Sequence, residues 1–195
     1  WGFNSTNGPS LALDVQPVSF VGTALPDLFR STSASESFDG LGGVDTLVLQ
    51  GLRADYTLSL SGQSWLIADG VAGRDGSDSV RQLERLKFAD VNLALDLNGI
   101  AGSTARLMGV VLGSEALANR EWVGVGLQLA DAGTSASALS NLALQVVLGF
   151  SYSNEQVVNL LYSNLFNTAP DPSTRAALTG LLNSGAYTPA SLVQL

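Results

Sequence analysis

The chain has 195 residues, a formal net charge of −8 and neither Cys nor His, and it is 46% hydrophobic but only 13% charged. This composition excludes disulfides, thiolate or imidazole metal sites and most catalytic triads. Nucleic-acid binding is not expected, because no stretch of the chain clusters Lys and Arg.

Two sequence features, long apolar runs and a signal peptide, are absent from this sequence. No run of 18 apolar residues is present, so we expect no membrane span. The sequence begins at Trp1 and shows no basic-then-apolar signal peptide. We therefore expect a piece of a longer or processed polypeptide.

The first 35 residues are rich in Ser, Thr, Gly and Pro, a composition typical of linkers. The short apolar run Val18–Val21 within them is typical of a strand. We predict that residues 1–35 form a linker that becomes an edge strand.

Residues 36–98 have the pattern of a β-rich module. Thr46–Leu49 is a short apolar run, Tyr56–Leu60 alternates apolar and polar residues, and Ser64–Ala68 is a third strand candidate. The intervening Gly62 suits a tight turn, since glycine tolerates a positive φ. The pattern predicts a β-hairpin over the last two candidates.

A second part of this module is dense in Gly and Asp. Residues 69–78 predict a loop. The apolar residues between Leu86 and Leu95 then suggest two more short strands.

Residues 99–195 predict a bundle of five or six helices of roughly 8–16 residues, because apolar residues recur there at intervals of three and four. Capping side chains mark the starts and glycines mark the stops. The starts are Ser135, Ser153 with Gln156, Asp171 before Pro172 and Thr188 before Pro189, and the stops are Gly133, Gly149 and Gly185. The predicted fold class is therefore α+β: a small β-roll-like or β-sandwich-like module followed by a helical bundle.

Two other residue types in the sequence carry structural expectations. Gly109, Gly113, Gly124 and Gly126 fall in helical stretches, where glycine usually indicates a close approach of two helices. Trp65 and Trp122 are expected in the core.

A nine-residue repeat stands at the start of the β-rich module. Over residues 36–47, Glu36 returns as Asp45 and Phe38 returns as Leu47, with Asp39 and three glycines between. Carboxylates on glycine-rich turns can share a hard cation with backbone carbonyls of the adjacent turn, so calcium is the expected metal. The alternative is an ordinary Gly/Asp turn between strands.

This segment resembles the glycine- and aspartate-rich nonapeptide of RTX proteins, although Leu41 stands where a glycine is expected and Glu36 where an aspartate is expected. The resemblance implies a turn of a parallel β-roll that binds calcium. It makes Glu36, Asp39 and Asp45 candidate metal ligands.

The blocks from Val44 to Asp96 are similar, in order, to the β module that follows RTX repeats in serralysin-like and other type I-secreted proteins. The resemblance implies a secreted, calcium-stabilised module. Asp69, Asp75 and Asp78 are candidate ligands of a second calcium; the alternative is a solvated loop whose aspartates bond their own backbone. The neighbouring Glu84 and Arg85 are expected to form a structural ion pair.

The helical half is similar to a domain of unknown function appended to bacterial type I-secreted and surface-layer-like proteins. The similarity rests on four segments: residues 105–113, 119–127, 131–133 and 157–164. It implies a cell-surface setting but no reaction.

No nucleophile elbow, phosphate loop or dinucleotide fingerprint occurs in the sequence, so no enzymatic activity is expected. We interpret the chain as a non-catalytic structural or assembly module of an extracellular, type I-secreted protein of a Gram-negative bacterium. It would be calcium-stabilised and would associate with itself or with neighbouring surface proteins, as in a surface layer, sheath, filament or adhesin. The alternatives are an accessory domain of a secreted hydrolase and a carbohydrate- or surface-binding module.

Overall fold

The computed structural model describes residues 17–195 and divides into two compact units between Leu93 and Ala94. The described part of the first unit carries strands and the second carries helices, which confirms the predicted α+β class. The strands are β1 (Val18–Val21), β2 (Leu28–Arg30), β3 (Glu36–Asp39), β4 (Thr46–Val48), β5 (Tyr56–Ser61), β6 (Ser64–Asp69), β7 (Ser77–Arg81), β8 (Arg85–Lys87) and β9 (Asn92–Ala94).

The first unit is a parallel roll in which the chain alternates between two sheets. One sheet has the order β1-β3-β7-β6-β5 and the other has the order β2-β4-β8-β9. Val18 of β1 pairs with Glu36 of β3, and Leu28 of β2 pairs with Thr46 of β4. The separation is the same in both pairs, and it makes one turn of the roll equal in length to two of the nine-residue repeats.

An inserted hairpin separates the second turn of the roll from the third. Val80 of β7 pairs in parallel with Phe38, although the chain between them is more than twice as long as the chain between Phe20 and Phe38. The hairpin β5–β6 occupies much of this interval, and β6 pairs antiparallel with β7. Its turn contains Gly62 at φ +62°, as the sequence pattern predicted.

Stacked apolar side chains fill the interior of the roll. Phe38 and Val80 are 1% and 0% exposed, and Leu47 and Leu86 on the opposite sheet are both 0% exposed. Phe20 of the first turn stacks on Phe38 with ring centroids 5.2 Å apart, yet stays 39% exposed. Each inner turn is covered by its neighbours, whereas the first described turn lies at the edge of both sheets.

The strands of the roll begin earlier in the chain than the predicted β-rich module does. Among the described residues, β1 and β2 lie at the ends of the two sheets. The part of the predicted linker that covers residues 1–16 lies outside the described residues.

The predicted loop over residues 69–78 is shorter than expected. Asp69 ends β6 and Ser77 already begins β7. Pairing of Ser77 and Asp78 with β6 overrides the low strand propensity of these residues.

The second unit is a helical bundle whose ends match the predicted caps. Its helices are α1 (Ile100–Leu112), α2 (Arg120–Asp131), α3 (Ala136–Leu148), α4 (Asn154–Phe166), α5 (Pro172–Asn183) and α6 (Pro189–Val193). The Ser153 side chain accepts from Gln156 N–H while the Gln156 side chain accepts from Ser153 N–H. Asp171 accepts from the backbone N–H groups of Ser173 and Thr174. The helix α6 is shorter than expected, with five residues.

The core of the bundle includes Val111, Leu144 and Val157, all 0% exposed. A Cβ built on Gly126 would lie 2.7 Å from the Met108 sulfur, so this glycine does permit a close approach of α1 and α2. The expectation was wrong for Gly124, where a Cβ would meet nothing within 4 Å, and Gly113 lies outside the helix as the C-cap of α1.

The two tryptophans expected in the core are less buried than predicted. Trp65 on β6 is half-buried. The expectation for Trp122 was wrong, because its side chain is 47% exposed on α2. No helix among residues 17–195 has both the length and the apolar character needed to cross a membrane.

Candidate calcium site

A glycine, a carboxylate and a carbonyl from the next turn meet at one corner of the roll. A Cβ atom built on Gly40 would lie 2.0 Å from the Gln82 carbonyl oxygen and 2.4 Å from Asp45 Oδ2. Because no side chain fits there, glycine is required at this position. The two oxygens are thereby held close to the same point of the backbone.

The same arrangement occurs one turn earlier in the roll. A Cβ atom built on Gly22 would lie 2.7 Å from Asp27 Oδ2 and 2.7 Å from the Gly40 carbonyl oxygen. Gly22 and Asp27 precede Gly40 and Asp45 by the length of one turn. The corner is therefore a repeated element of the fold.

In the repeated corner, Asp45 is the carboxylate with an oxygen that accepts no hydrogen bond from the described residues. Its side chain is buried at 0% exposure, and Oδ1 accepts the Asp27 N–H at 2.8 Å. Its Oδ2 has no hydrogen-bond partner within the described residues. Burial, reinforced by the nearby Asp27 charge, raises the pKa of Asp45 above its ordinary value. A buried carboxylate oxygen without a donor costs free energy that a cation would offset.

Asp27, the counterpart of Asp45, is satisfied by protein donors. Its Oδ2 accepts the backbone N–H of Thr23 at 2.6 Å and the Thr23 hydroxyl at 3.0 Å. The Asp45 position is consequently the better cation candidate of the two.

Glu36 and Asp78, predicted for different calcium sites, belong to one buried network. Asp78 Oδ1 accepts the Glu36 N–H at 3.0 Å, and Asp78 Oδ2 accepts the Ser31 hydroxyl at 2.6 Å. The Glu36 carboxylate accepts the N–H and the hydroxyl of Thr32, both at 2.8 Å. These carboxylates hold the loop between β2 and β3 against β7.

Asp75 is the centre of a second hydrogen-bonded set. Its Oδ2 accepts the Gln50 N–H at 2.7 Å and the Tyr56 hydroxyl, and its Oδ1 accepts Gln50 Nε2 at 2.7 Å. Burial, followed by the hydrogen bond to Asp75, raises the pKa of Tyr56 well above its usual range. The phenol therefore remains a donor at any physiological pH.

Asp69 and Asp39 are each paired with an arginine. Asp69 accepts from Arg74 Nε at 2.8 Å and from Arg74 Nη2 at 2.7 Å, and this contact lowers the pKa of Asp69 to about 2. Asp39 forms an ion pair with Arg81.

The six predicted ligands thus lie in several surroundings: Asp45 at the Gly40 corner, Glu36 with Asp78, Asp75 with Gln50 and Tyr56, and Asp69 and Asp39 on arginines. The fold brings only Asp45 to the repeated corner, and the other five are bound by protein donors.

Sequence reasoning missed two groups at the corner, Asp27 and the Gln82 carbonyl. Asp27 and Asp45 are 18 positions apart, and so are Gly22 and Gly40. A search of the sequence for this 18-residue repeat would have predicted the corner. Glu84 also has a role beyond the expected pairing with Arg85, since its Oε2 accepts the Asp45 N–H at 2.9 Å.

The two oxygens at the Gly40 corner are of the type that calcium binds, and they supply two of the ligands that it needs. Calcium takes six to eight oxygen ligands from carboxylates, backbone carbonyls and water. Asp45 Oδ2 and the Gln82 carbonyl supply one carboxylate oxygen and one carbonyl oxygen at this corner. No group of three acidic side chains suited to a metal ion is found within residues 17–195.

The acidic network around Asp78 makes the stability of the roll depend on pH. Burial, more than the nearby Glu36 and Asp75 charges, raises the pKa of Asp78 from 3.8 to about 6. The folded state then holds a proton that the unfolded state releases, so this group makes stability fall as pH rises from about 4 to about 6.

We expect Asp78→Asn to weaken this pH dependence and to stabilise the chain at pH 7 by roughly 2 kcal/mol. Asn can still accept the Glu36 N–H, and its amide can donate to the Ser31 hydroxyl. Urea unfolding with a chelator across pH 4–7 measures the effect. An unchanged pH profile in the variant would contradict this account of Asp78.

The fold and the site together define a short parallel β-roll with an oxygen-lined corner between its turns, within a chain that also carries a helical bundle. Comparison of the chain with protein-family models, curated proteins and solved structures finds no match.

Proposed function

We propose that this chain is a non-catalytic structural and assembly module of an extracellular, type I-secreted bacterial protein, and that calcium at the Gly40 corner stabilises its roll. The observation that supports the proposal is Asp45, a fully buried carboxylate whose Oδ2 lacks a partner within residues 17–195 and lies beside a carbonyl of the next turn.

The roles of the other acidic residues support a structural rather than a catalytic function. Asp75 and Asp78 use both carboxylate oxygens to accept protein hydrogen bonds. Asp171 uses its carboxylate to cap α5, and the Ser173 and Thr174 side chains together lower the pKa of Asp171 far below its usual range. These groups fix loops and helix ends, which is a structural role.

Calcium would make folding depend on the compartment. Where calcium is scarce, Asp45 Oδ2 stays buried without a hydrogen-bond donor among the described residues and weakens the roll. Where calcium reaches the millimolar range, even a modest site with a dissociation constant of about 10⁻⁴–10⁻³ M becomes occupied. The chain would therefore gain stability after export.

We expect calcium to stabilise the wild-type chain. At a hundred times the dissociation constant, the free energy of unfolding should rise by about 2.7 kcal/mol over its value with a chelator. Asp45→Asn should lose this gain, because the amide keeps an acceptor for the Asp27 N–H but lacks the charge. Urea unfolding with and without calcium measures both.

Asp90→Asn is the matched control, since Asp90 is an exposed aspartate that accepts the Arg53 N–H. It should respond to calcium as the wild type does. A wild-type chain whose unfolding ignores calcium would refute the metal part of the proposal, and an equal calcium response in the Asp45→Asn variant would place the ion elsewhere.

A further inference from the structure

An apolar groove runs along the surface of the helical bundle between α1, α2 and α3. It has a volume of about 320 Å³, and none of the residues that line it is charged. Met108 lies in its floor at 5% exposure, while Trp122, Val125, Leu142 and Val146 border it at 47%, 57%, 44% and 71% exposure.

A large exposed apolar side chain follows the end of α3. Phe150 lies just beyond the last residues of the helix, close in sequence to Val146, and is 89% exposed. The groove with its exposed apolar border is a candidate binding surface, because contiguous apolar patches above a few hundred Å² usually mark one.

We infer that this groove is the surface through which two copies of the chain associate. The inference rests on the assembly role proposed above and names the face that performs it. The chain carries a net charge of −8, so two copies repel each other over most orientations. The groove offers a contact without charged groups, where two identical faces meet with little repulsion and need no countercharge.

Symmetry gives a second reason to choose another copy as the occupant. A two-fold interface uses the same patch on both subunits, so the patch must contain both a projection and a recess. The groove is the recess, and Trp122 and Val146 on its border, 47% and 71% exposed, supply the projecting apolar side chains. Each copy can therefore supply what the other copy receives.

The groove offers an area of the size that a weak dimer buries. A Trp side chain offers 150–250 Å², so Trp122 alone leaves roughly 100 Å² exposed. Val125, Leu129, Leu142 and Val146 on the lining extend this area. The groove stays below the ~800 Å² per partner of a standard interface, in the range of weak association.

Sedimentation of the full chain over a concentration series, with calcium present, tests the inference. The wild type should form dimers, and Val146→Asp should raise the dissociation constant at least about tenfold. Val71→Asp is the matched control, because Val71 is a loop valine of the first unit with 46% exposure, and it should leave dimerisation unchanged. Val125→Ser is a second, milder variant at the groove border, where Val125 is 57% exposed, and it should weaken association in the same direction.

The possible outcomes distinguish failure of the groove inference from failure of the proposed assembly role. Association that persists in both groove variants would overturn the inference and leave the assembly role standing on another face. A wild type that stays monomeric at every concentration would overturn the inference and the assembly role together, while calcium stabilisation is judged by unfolding. A monomeric wild type that binds the apolar dye anilinonaphthalene sulfonate, with binding lost in Val146→Asp, would overturn the inference by assigning the groove to a small apolar ligand.

Discussion

Replacing Gly40 by alanine should destabilise the roll by about 3 kcal/mol or more and should also remove the response to calcium. The new Cβ would stand 2.0 Å from the Gln82 carbonyl oxygen and 2.4 Å from Asp45 Oδ2. Both contacts are far inside van der Waals distance, and one of them is with backbone. Relief requires the second and third turns of the roll to move apart.

Gly42→Ala is the control for this substitution, because it makes the same chemical change nearby in the same turn. A Cβ on Gly42 would meet its nearest neighbour, Ala24 Cα, at 3.9 Å, an ordinary contact. Urea unfolding should find Gly42→Ala close to the wild type. Equal losses in the two variants would show that the tight corner at Gly40 does not exist.

Removing the Asp75 carboxylate should have the second large effect. We expect Asp75→Ala to lower the free energy of unfolding by about 3–5 kcal/mol. Asp75 is 1% exposed and accepts hydrogen bonds from the Gln50 N–H, the Gln50 amide and the Tyr56 hydroxyl. These donors would lose their acceptor in a place where water does not readily replace it.

The exposed Asp90 again provides the comparison. Asp90→Ala removes one hydrogen bond, from the Arg53 N–H at 2.8 Å, and should cost about 1 kcal/mol or less. Unfolding by urea at pH 7 with a chelator measures both variants. If Asp75→Ala is no more damaging than Asp90→Ala, the buried network around Tyr56 does not stabilise the roll.

Local chemistry in the sequence predicted the helical half well. Caps such as Ser153 and Asp171 work through close neighbours in the chain, so their effect can be read from the sequence alone. Trp122 was misplaced for the converse reason, since whether an apolar face is covered depends on which helices pack beside it. The helices α1–α3 leave that face open.

The roll was harder to predict, because its repeat is spread over distant residues. Phe20 and Phe38 match across two nine-residue repeats, whereas the third turn is displaced by the inserted hairpin, so Val80 follows Phe38 at a much greater separation. A nine-residue comparison around Glu36 and Asp45 found the repeat but not the number of turns.

The candidate ligands show the same limit. The Gly- and Asp-rich segments, and the resemblance that they carry, made Asp75 and Asp78 candidate metal ligands, as they did Asp45. What distinguishes them is the set of donors that the fold brings to each carboxylate, such as Ser31, 47 residues from Asp78. No such donor reaches Asp45 Oδ2 within residues 17–195.

The hairpin between the second and third turns has a consequence for how this architecture changes. Phe38 pairs with Phe20 of β1 and with Val80 of β7. The chain between Phe38 and Val80 is much longer than the chain between Phe20 and Phe38. The turns of the roll therefore stack through their strand pairing and apolar side chains, and two stacked turns can be separated in sequence by an insertion. The tip at Gly62, where a Cβ would meet nothing within 4 Å, is consequently a place where evolution or a designer can graft new sequence and keep the scaffold.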